Sequence, residues 1–110
     1  MTFTAGLSIS QKKPFISIYS SVLQRAYDQI NHDIAGMDLG CLICVDRCGF
    51  VGADGPTHHG VFDLGILTPL PNVIICTPSN SYDAKRFINT YLKNNDHPYI
   101  LRIPRAILKI

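Results

Sequence analysis

The chain has 110 residues, 46% hydrophobic and 16% charged, enough apolar material for one globular core and no second domain. A formal charge of +2, with ten Lys and Arg scattered along the sequence, gives no electrostatic case for nucleic acid or a membrane surface and leaves small anions open as ligands. No stretch approaches the roughly 18 to 20 apolar residues that span a bilayer, and the opening Met-Thr-Phe-Thr-Ala-Gly lacks the features of a leader peptide, so the cytoplasm is the expected compartment, with a plastid as the variant.

In chain order, residues 1 to 10 read as the last two turns of a helix with Phe3, Leu7 and Ile9 or Ser10 on one face. Phe15 to Tyr19 reads as a strand, followed by Ser20 and Ser21 as helix caps, with Ser21 and Gln24 at capping-box spacing. Leu23, Ala26, Tyr27, Ile30, Ile34 and Met37 then recur at three and four, the stripe of an amphipathic helix running to about Gly36. Cys41 to Asp46 is a second strand, Val61 to Leu67 a short helix stopped by Pro69 and Pro71, and Val73 to Thr77 a third strand. Pro78-Ser79-Asn80 starts a helix whose apolar face is Ala84, Phe87, Ile88, Tyr91 and Leu92, and Tyr99 to Ile103 is a fourth strand.

Strands alternating with helices, and too apolar for one-sided exposure, predict an α/β fold: a parallel sheet flanked by helices. Ligands of such sheets gather beyond the carboxyl ends of the strands. Here those ends carry Tyr19, Asp46-Arg47, Thr77 to Ser79, and Arg102-Ile103-Pro104-Arg105. Arg47 and Arg105, with a tyrosine and a histidine, are therefore expected to form a pocket for a phosphate or carboxylate, because planar guanidinium groups stay charged and bind such anions through two donors at once. The loop after the second strand adds Asp54, His58 and His59 between Gly49, Gly52, Gly55 and Gly60, which suits positive φ angles or close backbone approach.

Cys41 and Cys44 form a C-x-x-C pair near Cys48 and His58. On a strand, positions three apart point to opposite faces, so the four cysteines, Cys76 included, are expected to be buried reduced thiols and no metal site is assigned.

Three segments carry a resemblance: Tyr19-Ser-Ser-Val-Leu-Gln-Arg-Ala-Tyr-Asp-Gln-Ile30, the run from Val45-Asp-Arg-Cys through Gly-Ala-Asp-Gly-Pro-Thr-His-His to Leu64, and Arg102-Ile-Pro-Arg105. They resemble the pyrimidine-binding domain of the 1-deoxy-D-xylulose-5-phosphate synthase family, transketolase-like thiamine diphosphate enzymes. The resemblance covers nearly all of the chain and a small part of a full synthase. It implies a thiamine diphosphate cofactor, with its Mg2+ held by a separate pyrophosphate-binding domain of the same enzyme or another subunit, and a homodimer in the full enzyme. The implied reaction joins pyruvate, with loss of CO2, to glyceraldehyde 3-phosphate, a precursor step for isoprenoids and thiamine. Carried over by position, Tyr19, Arg47 and Arg105 would bind the phosphate end of the aldehyde, Asp54 and His58 would line the reacting centre as catalytic polar groups, and Val22 and Arg25 would lie at the cofactor's aminopyrimidine.

Departures accompany the match. The glutamate with which the family protonates the pyrimidine would fall a few residues before Met1, so the domain is expected to be incomplete at its N-terminus and inactive alone. Val22 stands where an aromatic ring is usual, which removes a stacking contribution of about 0.5 to 1.5 kcal/mol. Ala106 replaces a usual glycine. A subunit of a split enzyme, or a non-catalytic module that keeps the anion pocket, are the alternative readings.

Overall fold

The computed structural model describes residues 1–106. Four parallel strands, β1 (Phe15–Tyr19), β2 (Cys41–Cys48), β3 (Ile74–Cys76) and β4 (Pro98–Pro104), form one sheet in the order β1-β2-β4-β3. All three pairings are parallel, with Tyr19 opposite Asp46 and Cys41 opposite Pro98. Burial follows position in the sheet. The central β2 is buried along most of its length, as its unbroken Cys-Leu-Ile-Cys-Val run requires. The edge strand β1 alternates, with Ile16 and Ile18 inward and Phe15, Ser17 and Tyr19 out.

One face of the sheet is covered by α1 (Thr2–Ile9), the irregular helix after β1 and the short α2 (Asp63–Leu67). Leu23, Ile30, Ile34, Ile43, Val45, Leu67 and Ile100 form the core there. The other face is covered by α3 (Ser81–Lys93), whose Ala84 and Tyr91 pack on Leu42, Tyr99 and Leu101. Asn80 caps α3 by accepting the Asp83 amide at 2.9 Å, and the buried Tyr91 hydroxyl donates to the Pro14 carbonyl at 2.8 Å. Leu92, expected on the apolar face, is 46% exposed, while its neighbour Tyr91 takes the core position in that turn.

Two helices depart from the sequence reading. In α1 the buried residues are Thr4 and Ala5, while Phe3 is 80% exposed. Small side chains let this helix lie close, where Ser8 donates to the Gly40 carbonyl at 2.8 Å and Thr2 to Asp33 at 2.9 Å. The segment expected as one regular α-helix from Val22 is a 3-10 helix over Ser20–Ala26 followed by a π-helix over Gln29–Ala35. The Gly36 and Leu39 amides reach back five residues, to the Asn31 and Ile34 carbonyls. Leu23, Ile30 and Ile34 of the stripe are buried, but Tyr27 and Met37 are exposed and Ala35 takes a core place, since changes of pitch rotate the faces out of a single 3.6-residue period. No capping box forms: Gln24 Nε2 donates to the Ser21 carbonyl instead.

The cysteines separate as strand alternation requires. Cys41, Cys44 and Cys48 are buried free thiols and Cys76 is half-buried. Burial pushes the Cys41 and Cys48 thiols up to about 12, where neither is a thiolate at neutral pH.

Candidate functional site

At the carboxyl edge of the sheet β2 bulges. The register to β4 shifts between Val45 and Cys48, and Arg47 adopts φ 56°, a left-handed conformation that costs a non-glycine residue about 1 to 3 kcal/mol. Asp46 Oδ1 supports it by accepting the Arg47 amide at 2.8 Å. The bulge carries the strand on to Cys48, past the Asp46 end expected from sequence, and aims the Arg47 side chain along the rim. There its guanidinium lies over the Tyr19 ring, 4.2 Å from the centroid, and 3.4 Å from Asp54 Oδ2.

Arg105 arrives from the end of β4. Its Nη1 donates to the Val51 carbonyl at 3.0 Å and forms an ion pair with the same Asp54 Oδ2 at 2.9 Å. The loop that presents Asp54 is two short 3-10 turns, Gly52–Asp54 and Pro56–His58, joined through Gly55 at φ 83°, with Gly49 and Gly52 also positive. Gly60 closes the loop by pairing with Gly49, and a side chain there would lie 2.6 Å from both the Arg47 carbonyl and Ser20 Oγ.

Tyr19, Arg47, Asp54 and Arg105, far apart along the sequence, thus meet in one cluster. Asp54 sits as a clamp between the arginines. Each guanidinium has five donors, and the contacts present use few of them, so donors outnumber acceptors and the partly exposed cluster suits an oxyanion. His58 lies on the same loop, but its Nδ1 pairs with Thr57 Oγ1 at 3.0 Å and it makes no bond to the cluster among the described residues.

Val22 and Arg25 are three apart on a 3-10 helix, where such positions eclipse, and both are exposed on a face away from the core side chains Ser20 and Leu23. That face offers an aliphatic surface beside a cation. It fits one side of a flat, polar heterocycle such as an aminopyrimidine and leaves the other side open, so the fit is that of a half-site.

A second constellation went unnoticed in the sequence. Asp63, at the start of α2 and 1% exposed, accepts from Arg102 Nε at 2.6 Å and Nη2 at 3.2 Å, while Arg102 Nη1 donates to Thr77 at 3.0 Å. The hydrogen bond to Asp63 raises the Arg102 guanidinium further above its ordinary value. Arg102, read as part of the open rim, is therefore consumed in tying β4 to α2. The available signal was an Asp opening a short helix whose apolar side must face the sheet, which buries that carboxylate and demands a partner.

A parallel sheet with helices on both faces and its polar side chains gathered at the carboxyl edge belongs to the class of open α/β sheet proteins, whose ligands sit beyond that edge. Residues 1–109 match the family model described as transketolase, pyrimidine binding domain. The chain belongs to that family, one of thiamine diphosphate enzymes. The 1-deoxy-D-xylulose-5-phosphate synthase of Parabacteroides distasonis is 48% identical over 106 residues, and that of Blochmanniella floridana 51%. In both cases the match covers 96% of this chain and 17% of the relative, so the chain spans about one sixth of the length of these synthases. Among solved structures, a transketolase from Campylobacter jejuni superposes with TM-score 0.87 over 96% of this chain and 17% of its own, at 20% identity. A protein described as a split gene transketolase, inactive β4 tetramer, gives 0.84 over 98% of this chain and 34% of its own, at 24% identity. Those two likenesses speak to the fold.

Proposed function

We propose that the chain is the pyrimidine-binding part of a thiamine diphosphate-dependent 1-deoxy-D-xylulose-5-phosphate synthase, which condenses pyruvate with glyceraldehyde 3-phosphate and releases CO2. The observation that carries the substrate assignment is the convergence of Arg47 and Arg105 on one oxygen of Asp54 beside Tyr19. In this reading the two guanidiniums take the aldehyde's phosphate, Tyr19 holds Arg47 in place through its ring, and Asp54 spaces the arginines. His58 offers an exposed imidazole, the type of group suited to proton exchange near the reacting carbons. Val22 and Arg25 would contact the cofactor's aminopyrimidine from one side. When bound, thiamine diphosphate supplies the electron sink for decarboxylation and carbon–carbon bond formation. The opposite side of the cofactor, its Mg2+ and the pyrophosphate site belong to a pyrophosphate-binding domain outside this chain.

The test uses an intact synthase of 48 to 51% identity. Replacing the residues that align with Arg47 and Arg105 by Ala is expected to raise KM for glyceraldehyde 3-phosphate at least tenfold, as loss of a charge-assisted contact does, while KM for pyruvate changes little. Equal effects on both substrates would defeat the assignment. A second reading, a subunit that works with a separately encoded pyrophosphate-binding partner, is favoured by the likeness to a protein described as a split gene transketolase. Activity on mixing the chain with such a partner, and none from either alone, would select it.

A further inference from the structure

Between the 3-10 helix, the glycine-rich loop and α2 lies a cavity of about 420 Å³, lined by Ser20, Gln24, Thr57, His59, Phe62 and Ile66 among others. We propose that it is a binding site for a small neutral molecule with a flat apolar body and an amide-like polar edge. The proposal goes beyond the phosphate reading and stands without it, since none of Tyr19, Arg47, Asp54 and Arg105 lines this cavity.

Its size is in the range of ligand pockets and far above the roughly 30 Å³ share of one water. The three-residue period of the 3-10 helix separates Ser21 and Gln24, which face the cavity, from Val22 and Arg25, which do not line it. Ser20 is 4% exposed, lines the cavity, and its Oγ has no hydrogen-bond partner among the described residues. Gly60 packs so close against it that a Cβ there would collide with Ser20 Cβ and Oγ, so the loop supplies no room for a partner on that side. Buried hydroxyls in folded proteins are rarely left unpaired.

The remaining polar groups define the ligand's chemistry. His59 Nδ1 accepts the Val51 amide at 3.1 Å, so the neutral ring carries its proton on Nε2 as a donor, and Phe50 packs edge-on against it at 5.1 Å. Gln24 uses its Nε2 on the Ser21 carbonyl, which leaves Oε1 as an acceptor. The charged lining group is Asp63, whose two oxygens are already held by Arg102. With no Lys or Arg in the lining and the one carboxylate neutralised, the cavity has no use for a net charge of either sign. Pro56, Phe62 and Ile66 supply apolar walls for a planar body.

The test compares three probes of one shape and different charge, benzamide, benzoate and benzamidine, by following backbone amide shifts of the full chain labelled with nitrogen-15. Benzamide is expected to shift Ser20, Thr57 and Phe62 saturably, with benzoate and benzamidine at least tenfold weaker. Ser20→Ala is expected to weaken benzamide about tenfold, the loss of one good hydrogen bond, and Ile66→Trp to abolish binding by filling the space. If Ile66→Trp fails to fold, Ser20→Ala decides. Shifts that rise without saturation, benzoate binding most tightly with its shifts centred on Arg47 and Arg105, or unchanged benzamide affinity in Ser20→Ala would each overturn the proposal and leave the cavity a solvent pocket.

Discussion

Two sets of aspartate and arginine stand at the same edge of the sheet and do opposite work. In one, Asp63 and Arg102 have side chains 0% and 12% exposed, with both carboxylate oxygens bonded. In the other, Asp54, Arg47 and Arg105 are 23%, 32% and 45% exposed, and a single oxygen serves two guanidiniums. The residue types are the same, so identity does not separate scaffold from site. Burial and saturation do: the buried pair has few donors left for a ligand and cannot lose a member without stranding a charge, whereas the exposed cluster is only partly spent and can exchange partners.

The difference predicts unequal responses to the same substitution. Asp63→Ala strands the largely buried Arg102 and is expected to lower unfolding free energy by about 3 to 5 kcal/mol, read from urea denaturation. Asp54→Ala, in the same experiment, is expected to cost under about 1 kcal/mol. Comparable losses in the two variants would erase the distinction. Gly60→Ala tests the wall between the open cluster and the interior: its Cβ would sit 2.6 Å from the Arg47 carbonyl and Ser20 Oγ. Overpacking there is expected to cost about 1 to 3 kcal/mol and to shift the Arg47 amide resonance; an unchanged stability and spectrum would show that the loop yields freely.

The smallest effect belongs to a pair at the opposite edge. His97 Nδ1 lies 2.7 Å from Asp38 Oδ1 and Nε2 3.9 Å from Asp96, and the hydrogen bond to Asp38 raises the imidazole above its ordinary 6.5. A group raised on folding stabilises most below its unfolded value and stops doing so as pH climbs through the folded one. The thermal midpoint is therefore expected to fall slightly between about pH 6 and about pH 8, and His97→Gln to flatten that slope. A slope that survives the substitution would assign it to other groups.

Much of the architecture was legible in advance. The positions of all four strands follow from short apolar runs between turn residues, and the parallel arrangement from the alternation of strands with helices. The meeting of Tyr19, Arg47 and Arg105 was legible because parallel strands deliver their carboxyl ends to one edge. The helix between β1 and β2 misled, since a stripe of Leu23, Ile30 and Ile34 appears the same whether the backbone winds at three, 3.6 or more residues per turn. Phe3 misled through size, as helix α1 buries what fits closely rather than what is largest.

The order of residues alone determined which segments become strands and which edge collects the polar groups, because hydrophobic period is a local property of the chain and parallel strands end at one edge; which strands pair was settled by packing. Tertiary packing alone decided which arginine is bound up and which remains available. Arg102 and Arg105 are three positions apart, yet one finds a buried carboxylate on α2 and the other shares an exposed one on the loop. Charge pairing depends on how much water remains around each group, and that is settled only when the helices close over the sheet.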